Sequence, residues 1–205
     1  MGYYPIAVDI AGKKCVVAGG GEVALRKVRS LLEAGARVTV IAPDVDPRLA
    51  DIEGVDVVAR EYRQGDAAGC ALLFAATDDR SVNASAADDA NRAGALVNVV
   101  DDPDLCSFIA PAVVRRGDLL IAVTTSGKSP ALSRRIRMEI EERYGPEYAA
   151  FVDLLGGLRD AVKAAHQSQE DREMVFNRLL DSGILELIRE GNVLEARQKA
   201  LECIS

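Results

Sequence analysis

The stretch Cys15-Val-Val-Ala-Gly-Gly-Gly-Glu-Val-Ala-Leu-Arg-Lys27 decides the fold. An apolar strand runs into three glycines, and the glycines run into a helix. Gly19, Gly21 and Ala24 match the dinucleotide fingerprint G-x-G-x-x-A. Gly19 allows the tight turn out of the strand. Gly21 has no Cβ, so a pyrophosphate could approach the backbone there. Ala24 is small enough for the helix to pack on the strand. The freed N–H groups at the helix start, reinforced by the helix dipole, would face the phosphates. Residues 23–34 carry an amphipathic helical period and Gly35 closes it, so the motif sits in the strand–turn–helix context it requires. The alternative is a sharp strand-to-helix turn that binds nothing.

Outward from this turn, strands are expected at 14–18, 37–42, 56–59, 71–76 and 95–100, with a second helix at 81–93 stopped by Gly94. The run 71–76 is apolar throughout, as expected of a parallel strand covered on both faces. Thr77-Asp78-Asp79 after it reads as a turn and helix N-cap. Strands alternating with helices imply an α/β fold with a Rossmann-type, doubly wound parallel sheet. Ligands of such sheets bind beyond the carboxyl ends of the strands. Residues 19–21, 42–44, Thr77 and Asp101 all lie at such ends, so they are expected to share one crevice.

After Asp101 the pattern changes. Apolar runs at 108–114 and 119–125 flank Arg115-Arg116-Gly117-Asp118 and read as an antiparallel hairpin. Ser129-Pro130 starts a helix that runs to about residue 144, with Pro130 in its first turn, and Gly145-Pro146 breaks it. Residues 147–205 read as helices only, interrupted at Gly156-Gly157, Ser182-Gly183 and Gly191-Asn192. That stretch is short for a core of its own and is expected to pack on its own sheet domain or on a second copy of the chain. The expected divisions are 1–112 for dinucleotide binding, 113–145 for the hairpin and its helix, and 146–205 for a helical C-terminal domain.

The composition of the 205 residues, 49% hydrophobic and 28% charged, is that of a soluble globular protein. No apolar run is long enough to span a bilayer. The N-terminus lacks a basic n-region and an apolar h-region, so no signal peptide is expected. Cys15, Cys70, Cys106 and Cys203 are scattered, with no C-x-x-C pair, which points to reduced thiols and a cytoplasmic protein. His166 is the sole histidine and lies in a polar helical stretch, where it reads as a solvated surface residue; no protein metal site is expected. A net charge of −7 argues against nucleic acid as a partner. Residues 111–137 nevertheless hold six basic residues and one acid, a net of +5 that leaves −12 for the rest. Such an island fits either a polyanionic small ligand or a solvated helix face beside a hairpin turn.

Four stretches carry a resemblance to a known family. They are Val-Val-Ala-Gly-Gly-Gly-Glu-Val-Ala-Leu-Arg-Lys at 16–27, Phe-Ala-Ala-Thr-Asp-Asp at 74–79, Asn-Val-Val-Asp at 98–101, and Phe-Ile-Ala-Pro-Ala at 108–112 leading to Ser-Gly-Lys-Ser-Pro-Ala-Leu-Ser-Arg at 126–134. In order and spacing they resemble the precorrin-2 dehydrogenase and sirohydrochlorin ferrochelatase family, the siroheme-synthase N-terminal module. The resemblance implies oxidation of precorrin-2 to sirohydrochlorin with NAD as hydride acceptor. In bifunctional members it also implies insertion of ferrous iron. It further implies a homodimer in which the hairpin and following helices of two chains cross over, so that 113–145 is a dimerisation segment. No methyltransferase segment follows, and the short, unfused form is expected. A non-catalytic dinucleotide-sensing module is the rival reading. It would share the glycine turn and the sheet but need neither Asp101 nor the basic segment 115–137. A dehydrogenase without chelatase activity and a chelatase with a vestigial nucleotide site are further alternatives.

The same resemblance distributes roles over residues. Asp101 takes the family's aspartate position at the end of the fifth strand, where a carboxylate could serve as base beside the nicotinamide. It could equally cap the next turn through Asp102-Pro103; the family match favours the base. The cofactor residues expected are Gly19, Gly20, Gly21, Glu22 and Val23 at the turn, Pro43 and Asp44 after the second strand, and Ala76 and Thr77 after the fourth. The ribose-binding acid that usually ends the second strand is missing, because Ala42 stands there. Asp44 could supply it and repel a 2′-phosphate, favouring NAD over NADP, or be a simple turn residue. Thr77 could lie by the nicotinamide or cap the following helix. Substrate carboxylates are assigned to Thr125, Ser126, Lys128, Ser129, Arg134 and Arg137, since guanidinium pairs with carboxylate in a bidentate manner. Arg135 is a further candidate, but a helix points at most two of these three arginines one way. Ser126 stands where family members often have glycine.

Overall fold

The computed structural model describes residues 2–204, in two units that divide after Ala110. The first unit holds β1 (Lys14–Ala18), α1 (Glu22–Glu33), β2 (Arg37–Ile41), α2 (Pro47–Ala50), β3 (Val55–Val58), β4 (Leu72–Ala75), α3 (Arg80–Ala93) and β5 (Leu96–Val99). The strands form one sheet in the order β3-β2-β1-β4-β5, with every pairing parallel. The direction of winding reverses between β1 and β4, the point at which doubly wound sheets open a crevice. The Rossmann-type expectation is borne out, and the five strands lie within a residue or so of their expected ends.

Burial on both faces explains the strand sequences. Cys15 to Ala18 and Leu72 to Ala75 are buried throughout. On one face Cys15, Val17, Val38, Val40, Leu72 and Phe74 meet Ala24, Leu25, Val28 and Leu31 of α1. On the other, Val16, Leu73, Ala75, Val97 and Val99 meet Ala86, Ala87 and Ala90 of α3. The alternation follows the two-residue period of a strand, with apolar residues at both phases because both faces are covered.

Helix ends follow their local chemistry. Behind α1, Gly35 (φ +74) donates to Leu32 O at 2.8 Å and Ala36 to Leu31 O at 3.1 Å, a paired closure that left-handed glycine permits. At α3 the cap is Asp79, whose carboxylate accepts from Ser81 N–H at 2.7 Å and Val82 N–H at 3.3 Å. Thr77 is therefore not the cap; it lies too far upstream of the first turn.

The second unit holds β6 (Ala112–Arg116) and β7 (Leu119–Val123), then α4 (Pro130–Arg143), α5 (Glu147–Gly157), α6 (Arg159–Ala165), α7 (Gln169–Asp181), α8 (Ile184–Arg189) and α9 (Val193–Glu202). The hairpin is present, but its first strand starts four residues later than 108–114 implied. Pro111 has no N–H for a ladder, and the Phe108 ring packs edge-on against Phe74 of the first unit's sheet, 5.5 Å between centroids. Arg115 and Arg116 consequently belong to β6, and the turn shrinks to Gly117-Asp118, with Gly117 at φ +57. Arg116 then closes α4: its guanidinium donates to Tyr144 O at 2.9 Å and Glu141 O at 3.2 Å.

The helical region does bury a cluster of its own, which corrects the expectation that it is too short to do so. Phe151, Leu158, Val162, Val175, Leu179, Ile184, Ile188, Ala196, Ala200 and Ile204 are all buried. Helix α5 runs through Gly156 and ends after Gly157, one step later than the glycine pair implied. His166 ends α6 half-buried rather than solvated, with Nε2 3.0 Å from Ile204 O, so that nitrogen carries the proton. Among the described residues no helix is long and apolar enough to cross a membrane.

Leu179 is fully buried while its neighbour Leu180 is 53% exposed. Leu179→Ala is expected to cost about 2–5 kcal/mol in urea unfolding, and Leu180→Ala less than about 0.5 kcal/mol. Equal losses at both positions would contradict a core facing inward from α7.

Candidate active site

The three glycines divide the work of the turn. A Cβ on Gly19 would stand 2.3 Å from Ala76 O, and Gly19 has φ +122, a conformation closed to other residues. A Cβ on Gly20 would stand 2.2 Å from Asp44 O and 2.9 Å from Val45 Cα. Gly20 O also accepts from Asp46 N–H at 2.8 Å, which ties the turn to the segment after β2. Gly21 is extended (φ −89, ψ −167), and nothing lies within 4 Å of the place a Cβ would take. The first two glycines thus seat backbone on backbone, and the third leaves open space. The first helical bond runs from Leu25 N–H to Gly21 O at 3.0 Å, so the amides of Glu22, Val23 and Ala24 precede it. That is the arrangement in which a helix start receives a phosphate.

A cleft of about 690 Å³ opens at this point. Gly19, Gly20, Gly21, Glu22 and Val23 form its floor, Pro43 and Asp44 one side, and Ala76 and Thr77 the other, so the expected cofactor residues are brought together. Ala42 also lines it and is buried, which leaves the end of β2 without its acid. Sequence reasoning missed several neighbours. Asp46 lines the cleft and caps α2 through Arg48 N–H at 2.9 Å. Asn83, buried on α3, reads the whole edge of Thr77. Its Oδ1 accepts from Thr77 N–H at 3.1 Å and Thr77 Oγ1 at 2.8 Å, while its Nδ2 donates to Thr77 O at 2.9 Å. A polar residue on the apolar face of the predicted 81–93 helix was the available signal.

Tyr62 is the other missed wall. It comes from residues 59–71, which form no helix or strand and are held by two aspartates. Asp89, buried on α3, accepts from Tyr62 Oη at 2.7 Å, Gly65 N–H at 2.9 Å and Ala67 N–H at 3.2 Å. Burial pushes its carboxyl upward, but these donors outweigh that and leave it below the usual range. Burial, then the Asp89 hydrogen bond, pushes the Tyr62 hydroxyl well above its usual value. Asp66 is held low chiefly by the Arg60 guanidinium, whose two nitrogens each lie 2.7 Å from it. Both carboxylates are depressed, so they stabilise this wall above about pH 4, and the contribution fades as pH falls through the lowered values.

Asp101 does not line the cleft, which corrects the single-crevice expectation. It follows β5, and β4 lies between β5 and β1, so it stands two strand spacings, about 10 Å, from the glycine turn. It is exposed and left-handed (φ +61), and its carboxylate has no hydrogen-bond or ion-pair partner among the described residues. The capping reading fails: the 3₁₀ turn Pro103–Leu105 is preceded by Asp102, with no side-chain cap. A non-glycine residue in this conformation costs on the order of 1 kcal/mol, although Asp tolerates it better than most.

In the second unit, Thr125 and Ser129 build the start of α4. Thr125 Oγ1 accepts from Ser129 N–H at 2.9 Å, and Ser129 Oγ from Leu132 N–H at 3.3 Å. Ser126 has φ +54, a left-handed conformation that glycine would adopt without strain. Arg137 is paired with Glu141, and Arg135 with Glu139 at 3.3 Å. Lys128 and Arg134 have no acidic partner within ion-pair distance among the described residues. The island of +5 is thus partly spent on caps and ion pairs.

Residues 6–112 match the family model described as "Putative NAD(P)-binding". The chain belongs to this NAD(P)-binding family. Behind it, residues 116–143 match the central region of sirohaem biosynthesis proteins, and 147–203 the sirohaem synthase dimerisation region. The resemblance carried by the four sequence stretches is borne out. Siroheme synthase of Methylococcus capsulatus is 40% identical over 205 residues, covering 98% of this chain and 43% of that protein. Siroheme synthase 1 of Aeromonas salmonicida is 40% identical over 204 residues, covering 98% and 44%. Siroheme synthase of Azotobacter vinelandii is 39% identical over 201 residues, covering 97% and 43%. The chain thus spans less than half the length of these relatives. A solved structure titled SirC, precorrin-2 dehydrogenase, shares the fold, with a TM-score of 0.76 at 24% identity over 98% of both chains.

The division among the glycines is testable in this NAD(P)-binding unit. Gly21→Val places its side chain in open space but at the N-cap of α1, and should cost about 1 kcal/mol of stability while abolishing dinucleotide binding. Gly19→Ala should lower stability by more than about 2 kcal/mol, because backbone must move. Unimpaired dinucleotide affinity in Gly21→Val, measured by calorimetry, would contradict the open cradle.

Proposed function

We propose that the chain oxidises precorrin-2 to sirohydrochlorin with NAD, and that it acts within siroheme synthesis. The observation that carries this reading is Asp101: a free carboxylate at the carboxyl edge of the same sheet whose glycine turn offers an open, amide-lined cradle. Bound NAD supplies the hydride acceptor. The oxidation removes a hydride and a proton from the reduced tetrapyrrole, and Asp101 takes the proton. Its distance of about 10 Å from the turn suits the nicotinamide end of an extended dinucleotide rather than its pyrophosphate. Glu22 and Val23 meet the pyrophosphate through their amides, Pro43 and Asp44 face the adenosine, and Ala76 and Thr77 line the nicotinamide side. Asn83 keeps Thr77 in place. The 2′-phosphate of NADP would meet the charge of Asp44, so NAD is the preferred oxidant.

Residues 1–112 hold the cofactor in this reading. Residues 113–145 serve substrate binding and dimerisation, and 146–205 complete a homodimer. The match to a dimerisation region supports the last assignment, as do Met174, Leu180, Val193 and Leu194, all more than half exposed on α7 and α9. Lys128 and Arg134 receive substrate carboxylates, with Thr125, Ser126 and Ser129 shaping the backbone that presents them, and Arg137 exchanges Glu141 for substrate. Ferrous iron is a second substrate, inserted into sirohydrochlorin after oxidation. The four free thiols suit the cytoplasm.

Anaerobic incubation with precorrin-2 and NAD, followed by absorbance and then by added ferrous ion, tests the reading. Sirohydrochlorin is expected to form, and the spectrum to change again with iron. Asp101→Ala should lower turnover by about 100-fold or more while retaining NAD binding. No spectral change at all would point to a non-catalytic sensor, and near-normal turnover in Asp101→Ala would remove the base.

A further inference from the structure

A cation stands at the mouth of the cleft, and it is already occupied. The Arg48 side chain is 59% exposed, yet its Nη2 donates to Glu22 Oε2 at 2.6 Å and to Asp46 Oδ2 at 2.6 Å, which uses both Nη2 hydrogens. Its Nε donates to Asp46 Oδ1 at 3.1 Å. Glu22 and Asp46 both line the cleft, so the guanidinium lies within hydrogen-bond reach of its wall. Asp46 is anchored in turn: its N–H donates to Gly20 O at 2.8 Å. The clamp therefore spans the first residue of α1, the start of α2 and the glycine turn.

This corner follows β2, where doubly wound sheets meet the ribose of a dinucleotide. An acid there accepts from a 2′-hydroxyl, and an arginine nearby accommodates a 2′-phosphate. This chain has both kinds of residue, and the structure couples them. Glu22, Asp44 and Asp46 face this corner, against Arg48 and the more distant Arg29 of α1. Three acids to two cations leave it net negative, with its nearest cation committed.

We infer that the Glu22–Arg48–Asp46 clamp sets the choice between the two dinucleotides. By holding Arg48 on two carboxylates, it denies a 2′-phosphate its counter-ion and presents acceptors for a 2′-hydroxyl. The inference rests on the dinucleotide reading above and names the residues that enforce its preference beyond Asp44.

Equilibrium binding of NAD and of NADP to the full chain, by calorimetry and without tetrapyrrole, tests it in wild type, Glu22→Gln, Glu22→Gln/Asp46→Asn and the triple variant that adds Arg48→Gln. Asn caps a helix as well as Asp, so the double variant keeps the start of α2. Glu22→Gln, at an exposed side chain, reports the same direction on its own. The double variant should shift the affinity ratio toward NADP by about tenfold or more, about 1.4 kcal/mol. The triple variant should lose that gain, and salt at about 0.5 M should shrink it. An unchanged ratio in the single and double variants, or a gain that survives loss of Arg48, would overturn the clamp. Wild type binding neither dinucleotide would instead overturn the reading beneath it.

Discussion

The carbonyl of Ala76 stands where a side chain on Gly19 would have to be, and the carbonyl of Asp44 does the same to Gly20. The two close approaches draw the ends of β4 and β2 against the turn that leaves β1. Hydrogen bonds from Gly19 N–H to Ile41 O at 2.9 Å and from Ala76 N–H to Ala18 O at 2.7 Å hold the same three strand ends. The start of α1 is thereby aimed into the crevice where the winding of the sheet reverses. Everything proposed for the first unit depends on that alignment, because the amides of Glu22 and Val23 can face a phosphate only if the turn is this tight.

Some of the charge around the cleft is held by specific partners. Glu22 sits in the first turn of α1, where its carboxylate suits the helix dipole but would oppose a bound pyrophosphate. Arg48 pairs with that charge at 2.6 Å, beside the segment that follows β2. Asp89 and Asp66 carry no free charge toward the cleft, since donors from Tyr62, backbone amides and Arg60 surround them. Asp101, after β5 in the first unit, has no such partner, and neither do Lys128 and Arg134 of the second unit.

Much of this was legible in the sequence because it rests on local rules. The apolar run at 71–76 reads as a parallel strand covered on both faces, and 14–18 as the strand that feeds the glycines. The glycines at 19–21, 35 and 94 punctuate helices in the way backbone sterics require. What escaped was the part fixed by tertiary contact. Nothing in Gly-Gly-Gly says that the middle glycine is needed for the carbonyl of Asp44. Asn83 and Asp89 look like ordinary polar residues of a helix until the chain segments they hold are in place. Arg116 reads as part of a basic cluster, whereas it spends its donors on the last carbonyls of α4. Phe108 reads as the start of a hairpin strand, but an aromatic partner in the first sheet and a proline three residues later keep it out of one. The buried cluster of the C-terminal helices likewise joins residues up to about fifty positions apart, beyond the reach of any periodicity.

The most direct test of the central claim, that the glycine turn and the α1 start form the phosphate cradle, is a crystal structure of the chain soaked with NAD. The diphosphate is expected within hydrogen-bond distance of the Glu22 and Val23 amides, passing over Gly21, with the nicotinamide toward Thr77 and the Asp101 edge. A dinucleotide bound elsewhere, or with its diphosphate away from Gly21, would contradict the account.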